Sequence, residues 1–375
     1  MPKPTLPAMK KKLNIILLLL ASGPVFSQQT FPVNGVNDDR ERVYAFTHAN
    51  IFTDYQTLTA DATMIIRNGL VESVGKNTTI PAGAVIIDLQ GKFIYPSFID
   101  IYSDYGMPKI SPEEDQRGPQ FLSNKSGAYN WNQAVHPEVQ AGELFDVMSE
   151  KAKELREIGF GTVASHQQDG IIRGTGTVVL LGDEQSNEMI VKEQAAAYYS
   201  FNKGTSTQDY PSSLMGSIAL LRQSYYDAQW YKADKGVAET NISLDALNKS
   251  MQLPQVFEVS DVFSAMRADK IGDEFNIRYI VKGAGDEYQR IDEVKSTGNA
   301  FIIPLNFPLA YDVEDPFDAQ QIPLAAMLHW EMAPGNPGTL EKAGVPFAIT
   351  TASLKSNNDF MKQLRKAIEY GMSTT

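Results

Sequence analysis

The sequence predicts an α/β chain, a TIM-like (β/α)8 barrel preceded by a small β-sandwich-type unit. Three observations carry that expectation. Apolar strand-like runs begin near Leu253 (LPQVFEV), Asn276 (NIRYIV) and Asn299 (NAFIIPL), each 23 positions after the last, with helical stretches filling the gaps. A period of that size holds one strand, one loop and one helix, the βα unit of a parallel sheet. Starts at Phe93, Gly161, Gly176, Met189, Leu253, Asn276, Asn299 and Val345 make eight candidate strands, the barrel number. The residues ahead of them have another texture, with short β-like runs separated by turn signals. A doubly wound open sheet is the alternative, because the run from Met189 to Val191 is short for a strand.

In chain order, residues 1–27 read as a leader and not as part of the fold. Lys10, Lys11 and Lys12 precede an apolar run from Leu13 to Ala21, and Val25-Phe26-Ser27 supplies a cleavage site before Gln28. The run is about half of the roughly 20 residues a spanning helix needs. A signal peptide is therefore expected, no membrane span, and an exported, periplasmic or extracellular location. The chain has no cysteine, which excludes a disulfide framework, a thiolate nucleophile or ligand, and a lipid anchor on cysteine. At 375 residues and 43% hydrophobic it has the apolar material for a core without cross-links. The leader holds four lysines and no acid, so its loss takes the net charge from −12 to −16. So acidic a chain argues against nucleic acid and against anionic lipid surfaces.

A small antiparallel β unit is expected within 28–92. Its runs are Val43 to Phe52, Thr63 to Arg67, Val71 to Val74 and Ala84 to Leu89, with Asn68-Gly69 as the hairpin turn between the second and third. The barrel is expected over 93–375. Phe93 to Ile101 is a continuous apolar run, as for a strand buried on both faces. Ala141 to Ile158 reads as one helix with Leu144, Val147, Met148, Ala152 and Leu155 on one face. Leu214, Ile218, Leu221, Tyr225 and Ala228 mark a second long helix. Ser260 is the expected cap of the helix after the Leu253 run, and Asp286 to Lys295 and Asn358 to Tyr370 are further helices. The polar stretches Ser103 to His136 and Phe201 to Asn241 exceed ordinary barrel loops and are candidate flaps over the C-terminal rim.

Signals for chemistry are sparse. The four histidines are His48, His136, His166 and His329, with no HxH or HExxH spacing, so no local pattern supports a zinc site. His166 directly follows a strand, where a barrel residue faces the active rim; the plainer account is a ring satisfied by a loop carbonyl. His329 reads as helix packing and His48 as structural. Gly174-Thr175-Gly176 is better a tight turn than a phosphate loop, since a strand and not a helix follows it. Two SxxK matches, at Ser73 and Ser200, lack partner motifs. The aromatic group Tyr225, Tyr226, Trp230 and Tyr231 reads as core plus interface. Glu113-Glu114-Asp115 reads as a solvated acidic turn.

The segment YPSFIDIYSDYG (Tyr95 to Gly106) is similar to the Pro-Gly-x-Ile-Asp-x-His-x-His signature on the first barrel strand of the amidohydrolase superfamily. The approach to it, ATMIIRNGLVESVGKNTTIPAGAVIIDLQGKF, resembles the N-terminal half-sandwich of imidazolonepropionases and dihydroorotases. LEKAGVPFAITTAS followed by LRKAIEYGMS resembles the last strand and helix of the same barrel. The resemblance implies metal positions that are changed here. The two signature histidines fall on Tyr102 and Asp104, and the last-strand aspartate falls at or near Ala352. The fifth-strand ligand falls around Glu258, and the sixth-strand histidine around Lys282. An alanine cannot ligate, a lysine repels a cation, and a tyrosine binds divalent metals poorly.

The expectation is therefore a catalytically silent or non-metallated barrel with no cofactor, serving as a scaffold or a small-molecule binding module. Its rim candidates are His166, Asp104, Glu258 and Lys282. The alternative is an active, metal-dependent hydrolase of C–N bonds, with zinc or another divalent metal on Asp104, His166 and Glu258. A peptide or glycan groove between the long insertions is a third reading. The resemblance also implies a return of the chain to complete the sandwich. Its absence before Thr375 makes a fragment, or a second amidohydrolase-like module downstream as partner, an expectation.

Overall fold

The computed structural model describes residues 43–111, 126–233 and 239–374. The leader and the Glu113-Glu114-Asp115 turn lie outside the described residues. The chain divides between Ile94 and Tyr95 into two compact units. No helix among the described residues is long and apolar enough to cross a membrane.

The first unit is one five-stranded sheet: β1 (Val43–Phe52), β2 (Leu58–Arg67), β3 (Leu70–Gly75), β4 (Val85–Asp88) and β5 (Phe93–Ile94). Alternation sets its inner face. In β1 the buried positions are Ala45, Thr47, Ala49 and Ile51, two apart as the pleat requires. Ala49, Ile51, Ala62 and Met64 form its core. Asn68 and Gly69 both take positive φ, 50° and 79°, the backbone a two-residue hairpin needs. The sheet is mixed, not antiparallel as expected. After β3 the chain crosses to the other side of β1, and β4 and β5 both pair with β1 in parallel. A hairpin signal reports one turn; it carries no information about a crossover.

The second unit is a sheet of eight strands in sequence order: β6 (Phe98–Ser103), β7 (Phe160–Ser165), β8 (Ile172–Leu180), β9 (Ile190–Ser200), β10 (Gln255–Glu258), β11 (Tyr279–Lys282), β12 (Ala300–Pro304) and β13 (Phe347–Thr350). The seam between β13 and β6 is closed by side chains. The buried Asp100 carboxylate accepts from Thr350 Oγ1 at 2.7 Å, Thr351 N at 2.9 Å and Thr351 Oγ1 at 2.5 Å, and Thr350 Oγ1 also reaches the Tyr102 carbonyl at 3.0 Å. Burial pushes the Asp100 carboxyl above its ordinary range, although the threonine hydroxyls pull the other way. The barrel reading therefore holds, and the open sheet does not. One core lies where Tyr199, Phe257, Val281, Phe301 and Ile303 meet the helices Leu214–Ala233 and Val262–Phe275.

Several local expectations are corrected. Phe93 to Ile101 is two strands in two units, broken at Pro96, which has no N–H for a ladder. Phe98 and Ile99 are exposed, so β6 is not buried on both faces. Ala141 to Ile158 is two helices, Ala141–Leu144 and Ser149–Glu157. The residues between leave the helix because Asp146 N–H bonds the Gly106 carbonyl and Val147 N–H bonds Ser186 Oγ. The cap after β10 is Asp261, whose Oδ1 accepts from Ser264 N at 2.8 Å, while the Ser260 hydroxyl donates to Asp261.

The largest correction concerns β8. It runs antiparallel to both β7 and β9, so the barrel is mainly parallel with one reversed strand. Gly174-Thr175-Gly176 lies inside this strand and is not a turn. Gly174 takes φ +80° at a register shift, with its Cα against the Val139 carbonyl, where a Cβ would overlap.

Candidate functional site

The site forms at one end of the barrel, where the parallel strands finish and the reversed β8 begins. Glu258 and Lys282 are the last residues of β10 and β11 and are paired in register. Tyr102 lies near the end of β6, and Arg173 is the second residue of β8. Because β8 is reversed, its first residues, not its last, arrive at the rim.

Arg173 organises the cluster. Its guanidinium is almost fully buried. Nη1 donates to Glu258 Oε2 at 2.8 Å and to the Tyr102 hydroxyl at 3.0 Å, and Nε donates to the Gly170 carbonyl at 3.0 Å. On the other side of Glu258, Lys282 Nζ stands 3.3 Å from Oε1. The same ammonium lies 5.6 Å from the centroid of the Tyr102 ring and 3.4 Å from Ser353 Oγ. Burial pushes the Glu258 carboxyl up, but Arg173 and then Lys282 outweigh it and hold it below the ordinary range. Glu258 is thus an anion clamped between two cations. Burial also raises the Tyr102 phenol well above its ordinary value, so it serves as a neutral hydrogen-bonding group.

The four rim candidates are not all brought together. Glu258 and Lys282 meet directly. Asp104 is exposed, and with Tyr102, Glu258 and Ala352 it lines a cavity of about 260 Å³. Ala352 is half-buried and packs on the cluster of Tyr102, Tyr198 and Ile302. His166 is sealed inside: its ring stacks on Tyr198 with centroids 3.6 Å apart and meets Tyr102 edge-on at 4.6 Å. Among the described residues neither of its ring nitrogens has a hydrogen-bond partner, so the expected loop carbonyl is not there. Burial, and secondly the Arg173 charge, hold its pKa well below the ordinary 6.5, which makes it a neutral ring. His329 bonds the Tyr288 hydroxyl at 3.0 Å, and His48 bonds Asp88 at 3.0 Å in the first unit.

Sequence reasoning missed Arg173, Tyr198 and Asp100. The one available signal for Arg173 was a single cation heading an otherwise apolar strand, IRGTGTVVL.

These donors do not suit a divalent metal. Among the described residues, no group of three or more His, Asp or Glu side chains is disposed to hold one. More directly, the carboxylate a metal would use is already paired to a guanidinium and an ammonium. A unit positive charge about 4 Å from either cation meets roughly 4 kcal/mol of repulsion at an effective dielectric near 20, and a divalent ion about twice that.

Comparison with known proteins agrees with this architecture. The NagA composite domain model matches residues 43–94, the first unit. A dihydroorotase from Trichlorobacter lovleyi is 36% identical over 52 residues, which is 14% of this chain and 12% of that protein's length. An amidohydrolase structure from Thermotoga maritima superposes over 88% of this chain and 84% of its own, with a TM-score of 0.66 at 20% identity. The match over the first unit and the likeness over the second agree on the fold: a small sheet unit and a barrel like that of the Thermotoga maritima amidohydrolase.

Proposed function

We propose that this chain is an exported, catalytically silent amidohydrolase-like module whose barrel mouth is filled by an ion-pair network instead of a metal. The observation that carries the reading is Arg173–Glu258–Lys282, a carboxylate shared by two buried cations where the resemblance puts metal ligands. Replacement is coordinated. Tyr102 supplies a phenol to Arg173, Ala352 supplies packing, and Lys282 supplies positive charge in place of a neutral imidazole. A network of this kind commits the Glu258 carboxylate to two cations, so it is not free to hold a metal that would activate water against a C–N bond.

Metal analysis of the purified protein after dialysis tests this. Zinc, manganese and iron together are expected well below one atom per chain; near-stoichiometric retention overturns the reading. Export rests on Lys10–Lys12 and the apolar run that follows, and mass spectrometry of the mature protein should find Gln28 at its N-terminus. A second reading, a rewired single-metal hydrolase on Asp104, His166 and Glu258, draws support from the two unpartnered ring nitrogens of His166. The same metal analysis decides between them.

A further inference from the structure

A cavity of about 870 Å³ opens beside the ion network, within the volume range of small-molecule sites. Its walls are unusual for such a site in being polar: seven serines line it, with Asn202 and Asn306. Its ionisable lining is Lys203, Lys282 and Glu258. Glu258 is held by Arg173 from behind, so the charge facing the space is positive. The protein as a whole carries 45 acidic against 33 basic residues, and a positive cavity in an acidic chain focuses anions into one place.

Lys282 is built to receive one. Its side chain is 6% exposed, and its ammonium, which has three donors, has Glu258 and Ser353 as its partners among the described residues, at 3.3 and 3.4 Å. Both distances are long for charge-assisted hydrogen bonds, which run about 2.7–2.9 Å. Ser353 takes φ +67°, a backbone state costly for a residue with a Cβ, and in that state its hydroxyl stands beside the ammonium at the cavity wall. Lys203, which also lines the cavity, donates to the Gln208 carbonyl at 2.6 Å.

We infer that this cavity binds a small polar organic acid, its carboxylate on Lys282 and its hydroxyl or amide groups on the serine and asparagine walls. The inference rests on the ion-paired, non-metallated reading of the barrel mouth. The serine lining excludes a largely apolar ligand, since those hydroxyls would lose water without replacement.

Titration calorimetry on chelator-dialysed protein of known metal content tests it, with gluconate and N-acetylglycine as acid probes and glucose and N-methylacetamide as their neutral counterparts. At least one acid is expected to bind at least about tenfold more tightly than its neutral counterpart, and Lys282→Met should cut that affinity by at least about tenfold. Circular dichroism checks the fold of that variant, and Lys203→Ala, on a half-buried side chain, gives a second reading of a smaller loss. No binding by either acid at millimolar concentration, equal binding of acid and neutral probes, or unchanged affinity in both variants overturns the inference. Binding that appears only when zinc is restored sinks both this inference and the non-metallated reading. Acid binding to a protein that retains a stoichiometric metal sinks the latter alone.

Discussion

The two halves of the barrel sheet are built by different rules. From β10 to β13 each strand is four or five residues long, parallel to its neighbour and followed by a helix. From β7 to β9 the chain doubles back on itself: β8 runs against both neighbours, and β9 extends to eleven residues. In the regular half a strand delivers its last residue to the rim, as Glu258 and Lys282 show. In the irregular half the reversed strand delivers a residue from its start, Arg173, the second of β8. A rim position can therefore be filled by a residue at the start of its strand, where a parallel-barrel reading does not look.

If the irregular half supplies the keystone, its removal should cost most. Arg173→Met leaves Glu258 with Lys282 alone and strands the Tyr102 hydroxyl. Breaking a buried ion pair from one side costs about 3 kcal/mol or more. The urea midpoint should fall accordingly, and a loss under about 1 kcal/mol would show that the network is incidental to the fold.

His166 sharpens the comparison through pH. Its folded-state pKa lies well below 6.5, so on acidification the unfolded chain takes up the proton first. The stability this group contributes is present above pH 6.5 and is lost as pH falls below it. Stability should therefore fall as pH drops from 7.5 towards 5. His166→Phe keeps the stack on Tyr198 and removes two unpartnered nitrogens. The variant's stability should fall less than the wild type's as pH drops from 7.5 to 5. Parallel pH profiles of the two proteins would refute the assignment of a neutral buried ring.

In the regular half the same kind of measurement should move little. Gly298 ends the helix Ile291–Thr297 at φ +67°, and a Cβ added there would meet only the Arg278 guanidinium, at 3.4 Å. Gly298→Ala pays only for left-handed backbone, about 1 kcal/mol. A much larger loss would mean that the βα units are not the independent repeats their spacing implies.

How far the site was legible follows the same division. Tyr102, Glu258 and Lys282 were singled out by the family resemblance, which sets them near one another at strand ends. Sequence also placed His166 at the rim; it did not reveal that Tyr102 and Tyr198 close over it. Arg173 was invisible as a site residue because its partner Glu258 is 85 positions away and nothing local marks the reversal. Asp100 was hidden more deeply, since it meets Thr351 across 251 positions to close the seam.

By itself the sequence determined the βα period and the Asn68-Gly69 hairpin. Each is written in local order: burial makes apolar runs, and a two-residue turn needs positive φ at both its positions. Only the tertiary structure decided the direction of β8, the break between residues 144 and 149, and the clamping of Glu258 by two cations. Those depend on hydrogen bonds and charges between distant segments, and no short-range pattern encodes which partner a buried polar group will find.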